Sequence, residues 1–333
     1  MEVTIKDIAA DAGVSVSTVS RVMNDSKSVS PELKKRVMAS IEKFHFRPNA
    51  AARSLVTKNT GLVAVLEADV RNPITAIHLK QISDVCMKHN KVVIVCDYDF
   101  NQEKALLLMD NMLERNIDGL IFQGVHLTDE ILKKLRRFEC PVVLGNQGPE
   151  DMSCEFPAVT VDSYNAARDM TKFLISEGHK HIAYVGGNKE DYTNGTLRLR
   201  GFLDAMKEAD LPVQDSYIYQ GGFTPEDGEK GMNQIYENSL DLPTAVIAGS
   251  DIIAVGVIRC LKAHKLKVPE DISVAGFDDS IYEPQLSTVK MFDQGEIFYD
   301  ALFGDKEAGK NTSKWNYFPY QIVRRSSTRR INV

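Results

Sequence analysis

Residues 3–24 read VTIKDIAADAGVSVSTVSRVMN, and their punctuation is that of two short helices joined by a tight turn. Thr4 is placed to cap a helix from about Ile5 to Ala12, with Ile8, Ala9 and Ala12 at apolar spacing and Gly13 ending it. Ser15 is placed to cap a second helix over Val16 to Met23, turning Val19 and Val22 inward and Ser17, Thr18 and Arg21 outward. A third helix opens at Ser30-Pro31, a cap followed by proline at the first helical position, and carries Leu33, Val37, Ile41 and Phe44 on one stripe. Three short helices with a glycine turn between the first two predict a helix-turn-helix head.

In such a module the second helix enters the major groove. Arg21 offers a bidentate fork to guanine, Val16 an apolar contact to a thymine methyl, and Ser17 a donor or acceptor to base edges. Thr4, Thr18, Ser20 and Asn24 are suited to phosphate oxygens. A helical mini-domain for protein contact is the alternative. The charge distribution speaks for DNA: the first 60 residues carry ten Lys/Arg against six Asp/Glu, a net of +4, and the rest carries −10. A basic head on an acidic body suits an anionic polymer partner.

Beyond the head, Asn49 is a capping residue, Ala50, Ala51 and Ala52 are small enough for two helices to pack closely, and residues 57–61 read as a polar linker. A helix this short is unstable alone and is expected to fold only on a partner surface. VTIKDIAADAGVSVSTVSRVMN, VSPELKKRV (29–37) and FRPNAAARSL (46–55) together resemble, without a gap, the DNA-binding head and hinge of the lactose-repressor (LacI/GalR) family of bacterial transcription regulators. The resemblance implies that Val16 and Ser17 are the variable base readers and Arg21 the shared one. It also implies a hinge helix formed on double-stranded operator DNA, with Asn49 and Ala52 in it and Leu55 wedged into the minor groove.

The remaining chain is long enough for a large core. Hydrophobic residues make up 43% and charged ones 26% of 333, which excludes a disordered or disulfide-scaffold chain. Five scattered cysteines without C-x-x-C spacing signal neither a disulfide framework nor zinc. No apolar run is long enough for a membrane span and the start is acidic, so no membrane association and a bacterial cytoplasmic location, with nucleoid association when DNA-bound, are expected. From Gly61 apolar runs alternate with helical segments: Leu62–Leu66, Val92–Cys96, Gly119–Phe122, Val142–Leu144, Val159–Val161, Ile182–Val185, Ile218–Gln220, Ala245–Ala248 and Ser273–Gly276 read as strands. Helices are expected at Asn165–Glu177, Leu197–Ala209 and Gly295–Phe303, and Tyr317–Val323 reads as a last strand. The pattern predicts an α/β body of two doubly wound parallel-sheet lobes sharing a cleft.

The second half adds family-like stretches: EGHKHIAYVGG, TLRLRGFLDAM, IAGSDIIAVGVI, VPEDISVAGFDDS, EPQLSTV and IVRRSST. The resemblance then implies a periplasmic-binding-protein-like body whose chain crosses between lobes near 161, 289 and 319. The expected division is a head over 1–47, hinge and linker over 48–60, a first lobe of 61–161 plus about 289–319, and a second of 162–288 plus about 320–333. It further implies a small-molecule effector, a sugar or sugar phosphate, touched by Asn72, Asn194, Arg198, Phe223, Ser250 and Asp278. Arg198 would give a forked donor, Asp278 would accept from hydroxyls and Phe223 would stack on a sugar face. The chain departs from the pattern at Asn72-Pro73-Ile74-Thr75, which lacks the usual aromatic platform, at Ser250-Asp251 and at Asn146-Gln147; a purine or another polar metabolite stays open.

No P-loop, G-x-S-x-G or H-E-x-x-H spacing occurs, so no enzyme is expected. His179-Lys180-His181 lacks a third ligand for a metal, Gly186-Gly187 reads as a tight turn, and no cofactor is implied. Two operator half-sites call for a homodimer, and no heptad tail follows Thr328 for a tetramer. Two rivals remain. One is a sugar-binding module without DNA function. The other is a catabolite-control regulator taking a phosphorylated carrier protein as corepressor on 295–303; there GEIFYDALF places Asp300 where a basic residue would serve, repelling a phosphoserine.

Overall fold

The computed structural model describes the chain except residues 1–2, 24–28, 47–58, 125, 149, 151–153, 282–284, 305–313 and 332–333. It forms two compact units, Met1–Thr60 and Gly61–Val333.

The first unit holds α1 (Ile5–Ala12), α2 (Val16–Met23) and α3 (Pro31–Lys43). At α1 the Thr4 backbone N–H and hydroxyl both donate to the Asp7 carboxylate, at 2.9 and 2.7 Å. Gly13 ends α1 in the left-handed region at φ 63°, where a side chain is strained. Ser15 Oγ accepts from the Thr18 N–H at 3.2 Å, and Ser30 Oγ from Leu33 at 3.4 Å. Ile8, Ala9, Ala12, Val19, Val22 and Val37 close one small core. Arg36 reaches from α3 to the Ala12 carbonyl and fixes the turn between α1 and α2, a clamp that the sequence pattern did not disclose.

The second unit opens with β1 (Leu62–Glu67), α4 (Pro73–Lys88), β2 (Val92–Asp97), α5 (Gln102–Glu114), β3 (Gly119–Gln123), α6 (Asp129–Leu135), β4 (Val142–Gly145) and β5 (Ala158–Val161). It continues with α7 (Ser163–Ser176), β6 (Ile182–Gly186), α8 (Leu197–Glu208), β7 (Ile218–Gln220), α9 (Pro225–Asn238), β8 (Ala245–Ala248), α10 (Asp251–Ala263) and β9 (Ser273–Asp278). Then come β10 (Ser287–Met291), α11 (Gly295–Phe303), β11 (Trp315–Phe318) and β12 (Tyr320–Val323). Among the described residues one sheet runs β11-β5-β4-β3-β1-β2 and the other β12-β10-β9-β8-β6-β7. Pairing is parallel throughout except β10 with β12, where Val289 faces Ile322. The inner strands β1, β3, β6, β8 and β9 are buried almost completely on both faces, as sheets covered by helices require.

Two expectations change. The single strand over Tyr317–Val323 is two strands in different sheets, because Pro319 has no N–H for a ladder and turns the chain from one lobe to the other. Ser287–Met291 is a strand that the apolar pattern missed. Only Val289 is a fully buried apolar residue there; Ser287 and Thr288 are buried through hydrogen bonds to Thr328 and Asp251. The chain thus passes between sheets after Val161, after Met291 and at Pro319. Among the described residues no helix is long and apolar enough to cross a membrane.

Candidate functional site

In the head, Val16 (41% exposed), Ser17 and Arg21 lie on the open side of α2, while Val19 and Val22 are buried beneath them. Thr4 is exposed, and Thr18 and Ser20 are half-buried. Ser15 Oγ joins the Ser17 and Thr18 hydroxyls at 2.7 and 2.9 Å, setting the rotamers at the start of this helix. Asn24, Asn49, Ala52 and Leu55 lie outside the described residues.

In the body, strand C-termini and helix N-termini converge on one cavity. Asn72, Asn194, Arg198, Phe223, Ser250 and Asp278 all line it. Asn72 caps α4, accepting from Ile74, and Ser250 caps α10, accepting from Ile253, so both also hold the helix ends aimed at the cleft. Phe223 lies over Gly187, where an added Cβ would come within 2.1 Å of its ring; Gly186 ends β6 and is not part of the expected tight turn, and Gly187 alone makes room for this aromatic wall.

Arg198 is 4% exposed and fully engaged. Its guanidinium donates to Ser163 Oγ at 3.3 Å, to Asn194 Oδ1 at 2.9 Å and to the Gly249 carbonyl, and lies 4.3 Å from the Phe277 ring centre. The surface ion pair that an arginine at a helix start could make does not form. Asn194 Nδ2 donates across the cleft to the Asn146 carbonyl at 2.9 Å, and Asn146 Nδ2 donates to Gln123 Oε1 at 2.6 Å and His78 Nδ1 at 3.0 Å. Gly148 N–H donates to Thr193 Oγ1 at 2.9 Å, a second bond between lobes. Asp278 ends β9 at φ 109°, and burial raises its carboxyl pKa against the favourable field of Arg198. Asp251, raised by burial and by repulsion from Asp278, accepts from Thr288 and from the Ser280 N–H, fixing the loop that follows. Asp279 turns the other way, onto Arg325 and Lys290. Both ring nitrogens of His179 are used within the protein, by Thr244 and the Arg329 carbonyl.

Sequence reasoning missed Glu67, His78 and Gln123, all of which line the same cavity. Burial, with repulsion from Asp97 second, holds the Glu67 carboxyl well above its usual range. Burial pushes the His78 imidazole down to about 3. In the unfolded chain a histidine titrates near ~6.5, so below that pH the unfolded state takes a proton that the folded state refuses. Stability linked to His78 is therefore complete above pH ~6.5 and falls as pH drops towards 3, by up to about 1.4 kcal/mol per pH unit. Asp191, raised to about 6 chiefly by burial, acts in the opposite direction, favouring the fold below that pH. His78→Gln should flatten the loss of stability between pH 6.5 and 4.5 relative to the parent, measured by denaturant unfolding at a series of pH values. Parallel pH curves for the two proteins would show that His78 is not held neutral.

A family model for bacterial regulatory proteins of the lacI family matches residues 4–49, and one for a periplasmic binding protein-like domain matches residues 171–328. Catabolite control protein A of Priestia megaterium is 36% identical over 337 aligned residues, covering 99% of this chain and all of that protein. The chain belongs to the lacI family. Another relative, the HTH-type transcriptional repressor PurR of Histophilus somni (strain 2336), is 32% identical, covering 97% of this chain and 98% of that one. The fold agrees with that of the lac repressor dimer bound to operator and the anti-inducer ONPF, at TM-score 0.85 and 24% identity over 99% of this chain and all of the other. As a lacI-family protein the chain is a transcription regulator with a helix-turn-helix head, not an enzyme.

Proposed function

We propose that this regulator reads a double-stranded operator as a homodimer in the bacterial cytoplasm and that a small polar effector, sugar-like in its hydroxyls, controls it from the cleft. The observation that carries the reading is the hydrogen-bonded path Arg198–Asn194–Asn146, which runs from two residues expected to touch the effector to the opposite lobe. An effector that competes for any of these groups binds one lobe arrangement better than another and shifts the population towards it. The division into a head over 1–47, a hinge over 48–60 and two discontinuous lobes belongs to the same proposal. The lobe arrangement then decides whether two hinge helices pack and insert Leu55 into the minor groove; the hinge lies outside the described residues. The phosphoprotein corepressor alternative is not favoured, since Asp300 is exposed on α11 and carries the wrong charge for a phosphoserine.

The base-reading role is tested at Arg21. Arg21→Ala should cost about 1 to 3 kcal/mol on the preferred operator and relax discrimination at one base pair. Fluorescence-anisotropy titrations against a set of single-base operator variants measure this. An equal loss on every variant would make Arg21 a phosphate contact.

A further inference from the structure

The first-lobe wall of the cleft carries polar groups that its own network does not use. Glu67, at the end of β1, is 4% exposed, and its Oε1 has no hydrogen-bond partner among the described residues. The same holds for His78 Nε2 and Gln123 Nε2. Asn146 decides what two of these groups offer. Its Nδ2 donates to His78 Nδ1 and to Gln123 Oε1, so His78 carries its proton on Nε2 and Gln123 keeps its amide N–H groups for another acceptor. The wall therefore presents two donors beside one carboxyl.

The charge balance of the cavity is acidic. Glu67, Asp69, Asp191 and Asp278 line it, and among the described residues Arg198 is the one arginine or lysine that does. The Arg198 fork is committed to Gly249, Asn194 and Ser163. Asp69 is answered by Arg71 at 2.7 Å, Asp191 by the Asn194 amide groups and Asp278 by the Asp251 N–H and the field of Arg198, which leaves Glu67 as the carboxyl without a hydrogen-bonding partner among the described residues, and Asp97 nearby adds repulsion. A phosphorylated ligand would bring more negative charge to these carboxyls. Burial favours the uncharged Glu67 carboxyl, and a neutral hexose brings no charge that would draw it into the ionised form. An ammonium group satisfies Glu67 by a charge-assisted hydrogen bond, and the Phe100 and Phe223 rings that also line the cavity offer faces that attract cations.

We propose that the cleft takes a small hydroxylated ligand bearing a primary ammonium group, an amino sugar in class, with Glu67 as the countercharge and His78 and Gln123 donating to a neighbouring ligand oxygen. This rests on the cleft being the effector site and names what that effector carries. It replaces the sugar phosphate suggested by resemblance with a ligand of opposite charge.

The test is calorimetric titration of the full-length protein with glucosamine, galactosamine and mannosamine, each beside its neutral hexose, its N-acetyl derivative and its 6-phosphate. At least one amine should bind tenfold or more tightly than its hexose, N-acetylation should abolish that gain, and Glu67→Gln should remove it. N-acetylation deletes the charge from the ligand, so the result stands even if the variant folds poorly. No binding of any amine, tighter binding of the neutral or phosphorylated members, or a preference that survives in Glu67→Gln overturns the proposal. Operator binding is followed in parallel by gel shift. Amine binding that leaves operator affinity unchanged supports the amine site and sinks the regulatory reading. Operator release by a neutral or phosphorylated sugar alone keeps the regulatory reading and overturns the amine site.

Discussion

Arg198→Ala is expected to lower effector affinity by about 100-fold or more and to destabilise the free body by about 3 kcal/mol, the cost of breaking a buried charged network. The two effects have separate causes. Effector is lost because the substitution frees Asn194 to turn away from Asn146, which breaks the hydrogen-bonded path across the cleft on which the ligand would act. Stability is lost because the Gly249 carbonyl loses its donor and Asp278, buried beside the guanidinium, loses the field that favours its charge. Arg198→Lys restores a charge but not a planar fork that serves three acceptors, so it should recover part of the stability and little of the binding. Urea unfolding without ligand and calorimetric titration with ligand read the two effects independently. A variant as stable as the parent, with an unchanged effector titration, would remove Arg198 from both roles.

Cleaving the chain between Thr60 and Gly61 is expected to leave a body that folds, takes its ligand and loses operator affinity by at least about 10³, the usual gap between specific and non-specific binding. The head and the body each close their own core: Ile8, Val19 and Val37 for the one, and β-sheet clusters around Val65, Tyr184 and Phe277 for the other. Removing the head also removes its net +4 and leaves a chain of net −10, which disfavours any residual phosphate contact. Gel shifts with the truncated body, beside circular dichroism to establish folding, measure this. Operator binding retained by a folded body would place the DNA site elsewhere.

The head was legible because each of its boundaries is local chemistry: Thr4, Ser15 and Ser30 cap, Gly13 stops, and the helices begin where those caps place them. Most strands of the body were legible for the same reason, as apolar runs between turn residues. What could not be read was whatever depends on distant chain. Ser287–Met291 hides its burial in hydrogen bonds to Asp251 and Thr328, residues 37 and 41 positions away. Family resemblance pointed to six residues that do share one cavity, but the chemistry of its far wall was silent. Glu67 reads as the polar residue that ends an apolar strand, and His78 as one side chain on a helix facing the core. Only the sheet order brings β1 and β3 side by side and places Gln123 near both. By its place at a helix start Arg198 offers a fork to a ligand, yet its donors are taken by Ser163, Asn194 and Gly249, bonds that only the folded cleft discloses.

The three passages between sheets, after Val161, after Met291 and at Pro319, bear on how such a gene can be rearranged. A recombination breakpoint near codon 60 transfers a whole folding unit, so operator choice is inherited as a single contiguous block. A breakpoint anywhere inside the body cannot do the same for either lobe. One placed after Val161, for instance, separates β11 from its neighbour β5, and one at Pro319 separates β12 from β10. Head and body are thus open to exchange between genes in one step at codon 60, whereas neither lobe of the body can be exchanged for another by a single breakpoint.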